Sequence, residues 1–193
     1  MKEQMTALVL LLLLGGMPAS AANSGGQKEI DSEKSVITVR VYKSGLFSAF
    51  AHNHEIRAPI QKGSFDEEKN SVEFSVDART LRVLDPEASE KDRAEIQSTM
   101  LGPKVLDSER FPEIRFRSTG VEKLGEGKWR VQGELTLHGQ THPVSVEVQG
   151  GKGRYQGSAQ LLQRTFAITP VSIAGGSVKV KDEVRIEFTV AGK

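Results

Sequence analysis

Apolar and polar residues alternate with a period of two along most of the chain, the mark of half-buried β-strands whose successive side chains point to opposite faces. "SVITVRVY" places Ile37, Val39 and Val41 on one face, and "SVEFSVDA" sets Val72, Phe74 and Val76 against Glu73, Ser75 and Asp77. "EIRFRS" alternates Ile114 and Phe116 with arginines. "KWRVQGELTL" opposes Trp129, Val131, Leu135 and Leu137 to Lys128, Arg130, Gln132 and Glu134. "PVSVEVQ", "GRYQGSAQL" and "EVRIEFTV" repeat the pattern. One segment departs from it. "DPEASEKDRAEIQSTMLGP" opens on Asp-Pro and closes on Gly102-Pro103, and Ile96 and Met100 stand four apart, as on one face of a helix. A shorter helical turn is expected around "GPKVLDSE". The fold predicted is all-β and antiparallel, with about eight strands and one helical insertion. Alternation alone leaves a closed barrel and a sandwich both open.

The N-terminus breaks the pattern in another way. "MKEQ", "ALVLLLLLGG" and "MPASAAN" read as a weakly charged n-region, an apolar h-region and a small-residue cleavage site. Residues 1–22 are expected to be a signal peptide cut after Ala21 or Ala22, with an uncleaved anchor as the alternative. Residues 23–34 read as a flexible leader, and residues 35–191 as the folded domain. The chain holds no cysteine, so neither a disulfide nor a lipid-anchoring thiol is available. A soluble periplasmic protein is expected, relying on its own core, which the roughly 170 residues left after cleavage can supply. Lys plus Arg number 26 and Asp plus Glu 25, a balance that gives no electrostatic case for nucleic acid or an anionic membrane surface.

Candidate chemistry centres on "SAFAHNHEIRAP", which carries two of the four histidines. In an extended strand Phe50, His52, His54 and Ile56 share the apolar face, and Asn53, Glu55 and Arg57 face out. Inward imidazoles need partners, because an unpaired buried polar group costs about 1–3 kcal/mol. Those partners are core side chains, water, a ligand or a metal, and His-x-His is the geometry of a two-ligand metal arm. His138 and His142 in "LTLHGQTHPV" are the remaining metal-ligand candidates, but "HGQT" reads as a hairpin turn that sets them at a rim. No G-x-S-x-G, P-loop or G-x-G-x-x-G motif occurs. Asp66, Glu67 and Glu68 read as a solvated hairpin and "AGGSVKV" as a tight turn.

Five blocks together, "YKSGLFSAFAHNHEI", "GSFDEEKNSVEFSVDARTL", "VLDSERFPEIRF", "GELTLHGQTHPVSVEV" and "AGGSVKVKDEVRIEF", make the chain resemble the YceI family of exported lipid- or polyisoprenoid-binding proteins. The resemblance covers about Ser35 to Val190, nearly all of the mature chain. It implies a lipocalin-like antiparallel barrel, a helical segment over its pocket, and a polyisoprenoid or isoprenoid quinone in the lumen. It implies no catalytic apparatus and no cofactor beyond the bound lipid. Carried over by position, Phe50, His52, His54, Phe74 and Phe116 border the cavity; Ile56 joins them by parity and Met100 from the cap helix. The resemblance implies a glycine where Ala167 stands in "QRTFAITP". It also implies a membrane redox or lipid-handling partner, with monomer and homodimer both open. A metal-binding barrel using His52 and His54 is the alternative, and a lipid-modifying enzyme with a histidine base is the third reading.

Overall fold

The computed structural model describes residues 26–44, 53–173 and 178–193. Its strands are β1 (Gln27–Glu29), β2 (Val36–Ser44), β3 (His54–Ala58), β4 (Lys62–Asp66), β5 (Ser71–Asp77), β6 (Arg82–Val83), β7 (Glu113–Gly125), β8 (Lys128–Leu137), β9 (Gln140–Gly151), β10 (Arg154–Leu162), β11 (Ser172–Ile173) and β12 (Val178–Ala191). One helix among the described residues, α1 (Glu90–Leu101), lies between β6 and β7. Single 3-10 turns occupy Ala78–Thr80 and Gln163–Phe166. The signal-peptide reading of residues 1–22 and the turn read in "AGGSVKV" at residues 174–177 lie outside the described residues.

The twelve strands among the described residues join one antiparallel sheet in the order β1-β4-β5-β7-β8-β9-β10-β12-β2-β3-β6, with β11 on β12. The path curls because β3 runs into β4 across Pro59–Gln61, so that a single bent strand pairs with β2 by its first half and with β5 by its second. Pro59 lacks an N–H, which lets the ladder break at that point. The ladder resumes where the Gln61 N–H donates to the Ser75 carbonyl at 2.9 Å. The result is a curled, barrel-like sheet, and the expected β class holds. The strand count differs from the expected eight because β1, β6 and β11 are only two or three residues long and the bent strand is divided in two.

Alternation sorts the two faces as the sequence predicts. Ile37, Ile56, Phe65, Val76, Phe116 and Val131 point inward and are buried. Outward positions carry charge. Arg40 on β2 reaches Glu55 on β3 at 2.6 Å and Glu187 on β12 at 3.0 Å. Arg130 on β8 reaches Glu122 on β7 at 3.2 Å and Glu147 on β9 at 3.4 Å. Such exposed ladders each contribute only about 0–1 kcal/mol, so the inward face dominates stability.

The helix begins later than Asp85-Pro86 suggests. Ser89 is its N-cap, accepting from the Asp92 N–H at 3.1 Å, and Gly102 follows its last residue as the sequence predicts. Met100 is buried and Ile96 half-buried, so their shared face meets the core. Gln97 fixes the helix to β6, accepting from the Val83 N–H and donating to the Leu81 carbonyl, both at 2.8 Å. A helix side chain thus supplies partners that an edge strand lacks. "GPKVLDSE" forms consecutive hydrogen-bonded turns rather than a second helix. Gln27–Glu29, within the stretch read as a leader, pairs with β4, and its end is tied to the chain terminus by the Lys193 N–H on the Glu29 carbonyl at 2.9 Å.

Candidate functional site

The curled sheet encloses a cavity of about 510 Å³. Nine of the longer strands, β2 to β5, β7 to β10 and β12, place inward side chains on its wall, among them Val39, Ile56, Phe65, Phe74, Phe116, Val131, Val146, Ala159 and Ile186. The wall is almost wholly apolar. Leu81 just before β6, Met100 of α1, and Val105 and Leu106 in the turns after it close one end together with Leu137 and Ile168. The hairpins between β4 and β5 and between β9 and β10 stand at the other end and bring Asp66, Glu67, Asn70 and Lys152 to the rim.

The aromatic residues inside are seated on glycines. Phe74 and Phe116 stack with ring centroids 5.5 Å apart. The Phe116 ring lies across Gly133 on β8, where a Cβ would come within 2.5 Å of its Cε2 and Cζ. Phe188 lies in the same way beside Gly157 on β10, 2.7 Å from where a Cβ would stand. The ring takes the volume the missing side chain leaves, which keeps these strands close while the lumen stays open.

Of the residues picked out by sequence, Ile56, Phe74, Met100 and Phe116 lie on the cavity wall. Phe50 and His52 lie outside the described residues. His54 pairs with Val41 on the inward-facing register, as parity predicts, but its ring is not part of the wall. Its Nδ1 stands 2.6 Å from Oδ2 of Asp85, a carboxylate only 2% exposed. A carboxylate only accepts, so Nδ1 carries the proton. The other carboxylate oxygen accepts from the Glu55 N–H at 2.7 Å. Asp85, read from sequence as part of a helix start, thus supplies the partner that an inward histidine requires.

His138 and His142 also find protein partners. His138 and Gly139 form the β8–β9 turn with φ of 50° and 71°, the left-handed pair that a two-residue hairpin requires. The His138 Nδ1 lies 3.0 Å from the Phe166 carbonyl, and its ring meets Phe111 edge-on at 4.7 Å. His142 packs edge-on against Phe166 at 5.4 Å. Among the described residues no three His, Cys, Asp or Glu side chains converge as a metal would need.

The rim at the hairpin end holds a group that sequence reading treated as solvated. Glu67 Oε1 accepts from the Tyr155 hydroxyl at 2.5 Å and from the Gly153 N–H at 3.0 Å, and Oε2 accepts from Lys28 Nζ at 3.0 Å. The Tyr155 hydroxyl, and after it Lys28, hold the Glu67 carboxyl below its ordinary value. Burial, reinforced by Glu67, pushes the Tyr155 hydroxyl up. Phe65 and Trp129 flank Tyr155 edge-on, at 5.5 and 5.6 Å. Sequence carried one signal for this cluster, the inward parity of Tyr155 in "GRYQGSAQL"; the rest comes from hairpins that meet only in three dimensions.

Known proteins share this architecture. The chain is 20% identical to Burkholderia cenocepacia BcnA, whose crystal structure superposes with a TM-score of 0.62 over 85% of this chain and 99% of that one. A mutant CJ YCEI protein, 15% identical, superposes with a TM-score of 0.52 over 72% of this chain and 81% of its own. In sequence, a UPF0312 protein of Vibrio parahaemolyticus is 31% identical over 134 residues, 64% of this chain and 67% of that protein. A UPF0312 protein of Shewanella putrefaciens is 29% identical over 157 residues, 79% of this chain and 75% of its own. The family model described as the YceI-like domain matches residues 29–191, a span that takes in every strand of the cavity wall. With fold, lumen and sequence in agreement, the chain belongs to the YceI-like domain family.

Proposed function

We propose that the protein is an exported carrier for a long apolar ligand of the polyisoprenoid or isoprenoid quinone type, held in the lumen and not chemically changed there. The observation that carries the reading is the cavity: about 510 Å³, walled by aliphatic and aromatic side chains from every long strand, with polar groups confined mainly to one rim. That volume falls within the roughly 300–1,000 Å³ of small-molecule sites. An apolar void of this kind binds apolar matter in preference to water. Burying ten methylenes contributes about 8 kcal/mol, so a hydrocarbon chain needs no directional contact to be retained. Family and fold support a binding protein for hydrophobic ligands. Export to the periplasm rests on the apolar, small-residue N-terminus.

The single tryptophan, Trp129, lies on the cavity wall and reports its occupancy. A brominated long-chain hydrocarbon should quench its fluorescence saturably. Ala159→Phe places a ring inside the lumen and should abolish that quenching while the protein stays folded. Saturable quenching that survives Ala159→Phe, or none in the wild type, would contradict a lumen site.

A further inference from the structure

The cavity is polar at one end, and that end is already occupied by the protein itself. In the sheet order, β7 and β8 separate the β4–β5 hairpin from the β9–β10 hairpin, which places the two in different walls of the barrel. Glu67 crosses from the first to the second. Its carboxylate accepts from three donors on other segments: the Tyr155 hydroxyl on β10, the Gly153 N–H in the turn before it, and Lys28 Nζ on β1. Lys152 stands on the same rim. Beneath this cluster the wall is apolar, beginning with Phe65, Trp129 and Tyr155. An anion held by convergent donors at the mouth of an apolar tube has the position that the head of a chain-like ligand would take.

We infer that Glu67 stands in for the ligand's head: the lumen accepts an apolar chain ending in an anion, carboxylate or phosphate, whose oxygens replace those of Glu67 on Tyr155, Gly153 and Lys28. This rests on the lumen reading proposed above, and of the chain-like ligands named there it selects one with an anionic head over the neutral quinone. Exchange of one anion for another keeps all three donors satisfied. A neutral hydroxyl head offers one acceptor oxygen and leaves the Lys28 ammonium without its partner. The displaced Glu67 side chain is already 36% exposed and sits on a hairpin, so water receives it at little cost. A phosphate presents more acceptor oxygens than a carboxylate and so can also engage Lys152.

The test compares chain-matched brominated probes, a long-chain acid, alcohol and alkyl phosphate, through Trp129 quenching. Glu67→Ala should raise affinity for the acid or the phosphate about tenfold relative to the alcohol, the size of one charge-assisted hydrogen bond. Adding Lys28→Met should remove most of that gain. The acid-to-alcohol ratio is taken within each variant, so a general loss of stability does not imitate the effect. Whichever of acid and phosphate gains more identifies the head. An equal gain for acid and alcohol would reduce Glu67 to a lid and overturn the assignment, as would no gain for either anion. In both cases probe binding itself would leave the lumen reading standing. Quenching by none of the chains would remove both.

Discussion

The His54 imidazole and the Asp85 carboxylate are held 2.6 Å apart across 31 residues of chain, and the same carboxylate accepts the backbone N–H of Glu55. This pair joins the start of β3 to the segment that leads into α1. Asp85 is 2% exposed and His54 22%, so the bond is shielded from water. Removing one member strands the other, a cost of about 1–3 kcal/mol. His54→Ala and Asp85→Asn should each destabilise the fold by that order. The double variant should fall short of their sum by about 1 kcal/mol. Urea denaturation of the four proteins measures the coupling; strict additivity would show that the two groups act independently.

Gly133 has an equally specific neighbour. A Cβ there would meet the Phe116 ring at 2.5 Å and the Arg117 carbonyl at 2.6 Å. The ring stacks on Phe74 and the carbonyl belongs to the β7 ladder, so neither moves freely. Gly133→Ala should cost about 1–3 kcal/mol by overpacking. Gly125→Ala, where a Cβ would meet nothing within 4 Å, should change stability by less than about 0.5 kcal/mol. Equal midpoints for the two variants in urea would contradict the packing assigned to Phe116.

Ala167 ends the 3-10 turn that buries Phe166, and it does so in the left-handed conformation, φ 57° and ψ 23°. This is where the family resemblance leads one to expect glycine. A side chain in that region costs about 1–2 kcal/mol, and a glycine gives back about 0.5–1 kcal/mol in chain entropy. Ala167 is exposed, so its methyl contributes no packing in return. Ala167→Gly should therefore stabilise the protein by about 0.5–1 kcal/mol, visible as a raised thermal midpoint.

The bridge at Glu67 makes stability depend on acidity. Tyr155 first and Lys28 second lower the Glu67 carboxyl from its ordinary value of 4.5. A depressed folded value means a contribution fully present above about 4.5 and lost as pH falls through the folded value. Wild type should melt above Glu67→Gln by a constant margin from about pH 6 to 8, and the margin should narrow as pH falls below about 4.5. A margin independent of pH would mean that the carboxylate's charge plays no part in the bridge.

Much of the fold is legible in local pattern. β8 runs from Lys128 to Leu137, the bounds its alternation suggests, and the Gly102 stop falls directly after α1. Inward parity places Phe74 and Phe116 on the cavity wall. What the pattern misses depends on pairing at long range. Lys28 sits among leader-like residues, and Glu67 in an acidic turn that resembles any solvated hairpin. They meet because the bent strand β3–β4 carries its hairpin to the end of β10, 88 residues from Glu67 at Tyr155. Asp85 was hidden by a different ambiguity. Asp before Pro also opens helices, and only the return of the chain past β3 turns its carboxylate to His54.

Occupancy of the lumen by a long apolar ligand is read most directly by native mass spectrometry of the untagged protein purified without detergent or organic solvent. The wild type should carry an added mass of several hundred daltons that organic extraction removes and that Ala159→Phe prevents. Protein that carries no extractable mass, or one that survives Ala159→Phe unchanged, would contradict it.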